Sequence, residues 1–194
     1  MIQAVLFDCF GVLTTEGWLA FKNQYFGSDP SKMQAASDVS RQLDRGLIEY
    51  QQAIEQIATL AEVPTGKLDA VLRDTVVDVS LVQYIRSELK PNYKIGMLSN
   101  VRKNWVETVF EPDDLQLFDA LCLSNETGFV KPDPRAYVAA AKALNVAADE
   151  VVFIDDLASN IDGAKSVGMQ GILYQNIVQL KQDLHTVLAA NSKD

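Results

Sequence analysis

The strongest constraint in this chain is a short apolar run, residues 2–7 (Ile-Gln-Ala-Val-Leu-Phe), that stops at Asp8 and is followed by Gly11. An apolar run of this length bounded by a turn signal describes a strand buried on both faces, as in a parallel sheet. Similar runs recur at Lys94–Leu98, Ala120–Leu123, Val151–Ile154 and Gly171–Tyr174. Helical spacing fills the gaps: Leu81, Val82, Ile85 and Leu89 before Pro91, a segment through Trp105 and Val109, then Pro134–Leu144 and Leu157–Val167. Strand and helix in alternation predict an α/β fold, a Rossmann-like parallel sheet with helices on both faces.

Residues 16–78 break the alternation. Ala53, Ile54, Ile57, Leu60 and Ala61 keep helical spacing, with interruptions at Asp29-Pro30, Gly46 and Pro64, which predicts about four short helices. The expected organisation is a core of residues 1–15 and 79–194 with a small inserted helical cap over 16–78. The insertion is expected to hold little core of its own.

Composition narrows the partners. Apolar residues make up 48% and charged residues 22%, with a net charge of −9, and no run approaches the ~18 apolar residues of a membrane span. This predicts a soluble protein with no membrane partner. Nucleic-acid binding requires a basic stripe, so it is not expected either. The N-terminus lacks the positive flank of a signal peptide, and the two cysteines, Cys9 and Cys122, cannot build a disulfide framework, so a cytoplasmic location is predicted. The single histidine, His185, falls in an amphipathic stretch near the C-terminus and reads as a solvated helix residue, which leaves carboxylates to carry the chemistry.

In open parallel sheets ligands bind beyond the carboxyl ends of the strands. The residues expected there are Asp8, the Ser99-Asn100 pair, Lys131 before Pro132-Asp133-Pro134, and the Asp155-Asp156 pair. Singly each has a bland reading: a turn residue, an N-cap, a solvated cation. Together they place three carboxylates at one end of one sheet, where like charges ~4 Å apart repel by ~4 kcal/mol at an effective dielectric of 20. A divalent cation is implied, and an all-oxygen set with room for phosphate suits Mg²⁺.

Four ordered strings resemble the motifs of the haloacid dehalogenase-like (HAD) superfamily, in the branch with a small helical cap: Val5-Leu6-Phe7-Asp8-Cys9-Phe10-Gly11-Val12-Leu13, Gly96-Met97-Leu98-Ser99-Asn100, Val130-Lys131-Pro132-Asp133-Pro134, and Val151-Val152-Phe153-Ile154-Asp155-Asp156 with Asn160-Ile161-Asp162-Gly163-Ala164. The strings are similar to those of bacterial sugar-1-phosphate phosphatases. The resemblance implies a Mg²⁺-dependent phosphatase acting on a small phosphorylated metabolite, a sugar phosphate by preference, through an aspartyl-phosphate. It implies Asp8 as nucleophile, Ser99 and Lys131 as holders of the phosphoryl oxygens, and backbone N–H groups around Cys9, Phe10 and Asn100 as further donors. It places Mg²⁺ among Asp8, the carbonyl of Phe10, Asp155 and Asp156, with the direct member of the aspartate pair left open.

The chain departs from the phosphatase pattern at Phe10, where the family usually has a second aspartate that protonates the leaving oxygen. General acid–base help is typically worth ~10²–10⁴ in rate, so three readings follow. One is a phosphatase whose substrate leaves easily, or in which Glu16 or Asp44 of the cap replaces the acid. The others are a 2-haloacid dehalogenase and a phosphate-binding or regulatory domain without turnover. Trp18, Lys22 and the Asp44-Arg45-Gly46 turn are the cap's candidates for specificity. Cys9 reads as a small packed residue rather than a thiolate, and Trp105, Phe110 and Phe118 read as core.

Overall fold

The computed structural model describes residues 1–15, 17–101 and 103–190. The chain divides into two compact units, residues 1–14 with 77–194 and residues 15–76.

The larger unit is built on β1 (Ala4–Phe7). The chain returns to it after the inserted helices α1 (Gly17–Phe26), α2 (Pro30–Asp44), α3 (Tyr50–Ala61) and α4 (Thr65–Arg73). It continues through α5 (Val79–Tyr84), which ends in a π-helical turn at Ile85–Leu89, then β2 (Lys94–Ser99), α6 (Lys103–Val109), α7 (Pro112–Leu115) and β3 (Ala120–Leu123). The remaining elements are α8 (Ser124–Thr127), α9 (Pro134–Ala143), β4 (Val151–Asp155), α10 (Ala158–Ser166), β5 (Gln170–Leu173) and α11 (Ile177–Ala190).

All four strand pairs are parallel, in the order β3-β2-β1-β4-β5. Alternation along β1 sends Val5 and Phe7 to one face and Ala4 and Leu6 to the other. Val5 and Phe7 pack with Leu81, Ile85, Val106, Leu180 and Leu184 of α5, its π turn, α6 and α11. Ala4 and Leu6 pack with Tyr137, Ala140, Leu144, Ile161 and Ala164 of α9 and α10. Helices thus cover both faces, as a parallel sheet requires. The strand order reverses at β1, so the switch point lies between β1 and β4.

The smaller unit has an apolar cluster of its own, centred on Phe21, Phe26, Ile54, Ile57 and Leu68, more core than its length led us to expect. On α1, Phe21 is the hub of an aromatic group, stacked with Trp18, tilted against Tyr25 and edge-on to Phe26. Asp29 caps α2 by accepting from the amides of Ser31 and Lys32, and Pro30 opens the helix. That is the termination signal read in the sequence. Among the described residues, no helix is long and apolar enough to cross a membrane.

Candidate active site

Asp8, Cys9, Phe10, Ser99, Asn100, Lys131, Asp155 and Asp156 all belong to the larger unit and fall at the carboxyl end of a strand or in the segment after it. Asp8 follows β1, and its amide donates to the carbonyl of Ile154 on β4 (2.8 Å), so the backbone ladder continues one residue past the strand and fixes where the side chain starts. The turn behind it is closed by Gly11 N donating to Thr14 O and Thr14 N donating to Cys9 O. Gly11 has φ +75°, and a Cβ there would lie 2.6 Å from Asp156 Cγ. Only glycine permits both the left-handed turn and the approach of Asp156.

The centre of the site is a buried ammonium between two carboxylates. Lys131 Nζ lies 2.6 Å from Asp8 Oδ1 and 2.8 Å from Asp155 Oδ2, and all three side chains are at least nine-tenths buried. Asn100 holds the lysine by its backbone: its Oδ1 accepts from Lys131 N (2.9 Å) and its Nδ2 donates to Lys131 O (3.3 Å). Asp155 is saturated. Its Oδ1 accepts from Leu157 N and Asn160 Nδ2, and its Oδ2 from Lys131 Nζ and Asn160 Nδ2. Tyr137 Oη in turn donates to the carbonyl of Asn160 at 2.8 Å. A chain of contacts thus runs from the core of α9 to the site.

Asp156 is only half-buried. One oxygen from each of Asp8, Asp155 and Asp156 comes within 4.8 Å of the others. With one ammonium against three carboxylates, the charge is unbalanced. Burial foremost, with Lys131 opposing and Asp155 adding to it, pushes Asp8 up to about 8. Burial and then Asp155 raise Asp156. Burial works against the ammonium of Lys131, but Asp8 and Asp155 outweigh it and its pKa rises. The donor set therefore fits a hard divalent cation: carboxylate oxygens only, and a deficit of positive charge. The hydroxyl of Ser99 is buried without a hydrogen-bond partner. Buried polar groups normally have one, and an orphan of this kind at a strand end is open to a ligand oxygen.

Several expectations need adjusting. The amide of Cys9, expected to face a phosphoryl oxygen, donates to Asp8 Oδ1 at 2.6 Å. Burial and then the Asp8 carboxylate push the Cys9 thiol far up, which agrees with its reading as inert. Trp105 is not closed core: it is half-buried, with its ring 4.5 Å from that of Phe10. Phe110 is buried as expected, and Phe118 is partly so. Glu16 lies outside the described residues, and Asp44 ends α2 in the smaller unit with Trp18, Lys22, Arg45 and Gly46. His185 is exposed on α11. Sequence reasoning assigned no role to Asn160 or Tyr137. Asn160 was signalled by its place in the first turn of the helix that follows the aspartate pair, where a side chain can reach back to the strand end.

The family described as haloacid dehalogenase-like hydrolase matches residues 2–168. The chain is 26% identical to a sesquiterpene phosphatase of Aspergillus oryzae over 88% of each protein. It is also 26% identical to a phosphatase of Mycobacterium tuberculosis, over 89% of this chain and 87% of that one. Among solved structures, a HAD family enzyme of Bacteroides thetaiotaomicron in complex with magnesium and inorganic phosphate superposes with a TM-score of 0.70. It is 23% identical and covers 93% of this chain and 99% of its own. The L-2-haloacid dehalogenase of Xanthobacter autotrophicus reaches 0.65 at 19% identity, over 96% of this chain and 83% of its own. With the family matched over most of its length, and with the parallel sheet and strand-end carboxylates in place, this chain belongs to the haloacid dehalogenase-like hydrolases.

Proposed function

We infer that the chain is a Mg²⁺-dependent phosphatase for a small phosphorylated metabolite, working through a phosphoaspartate on Asp8. The observation that carries this reading is the arrangement of Lys131 between Asp8 and Asp155, with Asp156 within reach and the Ser99 hydroxyl unpartnered. Asp8 and Asp156, with the carbonyl of Phe10, would hold the metal, which supplies positive charge to the carboxylates and to a phosphate dianion. Asp155 already accepts four hydrogen bonds, so its part is to hold Lys131 and Asn160 in place.

Asp8 attacks phosphorus, and the bond to the leaving oxygen breaks with its electron pair going to that oxygen. Water then attacks the phosphoaspartate, releasing phosphate and restoring the carboxylate. Lys131 and Ser99 hold the transferring oxygens. Phe10 offers no proton, so a leaving group that departs as a weak base is favoured.

Phe10 also favours a second reading, dehalogenation, because a departing halide needs no proton. One experiment separates them. Purified protein is incubated with phosphate esters, sugar phosphates and acetyl phosphate included, and with 2-chloropropionate, each with Mg²⁺ or with excess chelator. Phosphate release that requires Mg²⁺ is expected. Halide release that survives chelator overturns the phosphatase reading, and binding of phosphate without release of either product supports a regulatory domain.

A further inference from the structure

Phe10 and Trp105 are both half-buried, with ring centroids 4.5 Å apart and planes inclined by 47°. Both lean on the apolar cluster of the α5, α6 and α11 face. Both also belong to the segments that carry the site, Phe10 two residues beyond Asp8 and Trp105 in α6, which follows Ser99 and Asn100. Two independent requirements on the substrate therefore meet at one place. Residue 10 donates no proton, which favours a departing oxygen that is a stable anion. Phe10, two residues beyond Asp8, forms a tilted and partly exposed aromatic pair with Trp105, and a ring is what stacks on such a pair with most gain. A phenol meets both requirements, since its ring delocalises the charge on the leaving oxygen and presents a face to be packed.

We propose that the substrate is a phosphate monoester of a phenol, with Phe10 and Trp105 receiving the aromatic ring. This rests on the phosphatase reading above and replaces the sugar expected from the sequence by an aromatic alcohol. In the reaction an Asp8 oxygen bonds to phosphorus and the phosphorus–aryloxygen bond breaks. The electron pair leaves on the phenolate, which takes its proton from water. A second water attacks phosphorus, releases phosphate and regenerates Asp8.

The test compares 1-naphthyl, phenyl and acetyl phosphates with glucose 1-phosphate in Mg²⁺, for the unmodified protein and for Trp105→Leu and Phe10→Leu, which keep apolar bulk without an aromatic face. The unmodified protein is expected to prefer naphthyl over phenyl phosphate. The ratio of kcat/KM for naphthyl over acetyl phosphate should fall about 2- to 10-fold in each variant, mainly through KM. Ratios within one preparation cancel differences in folded fraction. An unchanged ratio in both variants, or a preference for glucose 1-phosphate over both aryl esters, overturns the proposal while leaving the phosphatase reading intact. If no ester releases phosphate, the phosphatase reading fails, and ring recognition is read by calorimetry instead. 1-Naphthyl phosphate should bind more tightly than methyl phosphate, and Trp105→Leu should erase the difference. Equal binding of the two by the unmodified protein overturns the proposal.

Discussion

Lys131 meets Asp8 and Asp155 at 2.6 and 2.8 Å with its side chain 2% exposed, whereas Lys32 of the helical unit meets Glu62 at 2.8 Å with the carboxylate 80% exposed. The distances barely differ, and the consequences are opposite. Around Lys32, water screens the attraction and the pair holds two surface helices' side chains with little net effect on stability. Around Lys131 there is little water to screen anything, and three carboxylates share one ammonium. Such an arrangement is not a device for stability, because buried charges recover their desolvation cost only in part. It is a charge deficit held in place, and in the proposed function a cation and a phosphate dianion would put it to use.

Removing the proposed nucleophile separates function from stability most sharply. Asp8→Asn is expected to lower turnover by about 10⁴-fold or more, since an amide cannot attack phosphorus. The pH dependence of stability carries the sign of the raised Asp8 pKa. A group whose folded pKa lies above its unfolded value contributes stability that is fully present below about pH 4 and lost as the pH rises through about 8. Denaturation of metal-free protein should therefore show Asp8→Asn gaining on the unmodified chain between pH 4 and 9. A gap that narrows over that range would mean that Asp8 is stabilised as the anion.

Next in size is Lys131→Met, which leaves Asp8 and Asp155 facing each other without a cation. Urea denaturation in chelator should show a loss of about 3–5 kcal/mol, and added Mg²⁺ should restore part of it without restoring turnover. Asn160→Ala removes two donors from Asp155. A loss of about 1–3 kcal/mol is expected, with kcat reduced by about 10-fold because an outer-layer contact to the site is gone. Unchanged single-turnover rates would show that Asp155 holds Lys131 without this help. The smallest effect is assigned to the surface: Glu62→Gln should leave both the denaturation midpoint and the activity where they were. A clear drop in midpoint would mean that the exposed Lys32–Glu62 pair is stabilising after all.

The sheet and its strand ends were legible because a strand buried on both faces must be apolar throughout and must end where the chain meets polar surroundings. Val5-Leu6-Phe7-Asp8 and Phe153-Ile154-Asp155 show that boundary directly. Sequence spacing also sufficed to place Ser99 and Lys131 near the carboxylates, since parallel topology leaves those segments one end of the sheet to occupy. What spacing does not carry is the partner of a side chain across the fold. Asn100 grips the backbone of Lys131, Tyr137 reaches Asn160, and Trp105 meets Phe10, each through tertiary packing between residues 23 to 95 apart in the chain. β5 lies at Gln170–Leu173, one residue earlier than expected, and α9 ends at Ala143, one residue before the expected Leu144. Both are end effects of the size at which helix and strand boundaries blur.

The central position of β1 has a consequence for how this protein fails. Asp8 follows a strand hydrogen-bonded on both sides, to β2 and to β4, while β3 and β5 are the edges. Fraying begins where a strand has one neighbour, and the amides of Val5 to Asp8 can exchange with deuterium only when the whole sheet opens. The backbone of Asp8 should be among the last to exchange. A mild insult to the fold should then leave a population in which each molecule is either fully competent or globally unfolded, with no locally loosened active site between the two.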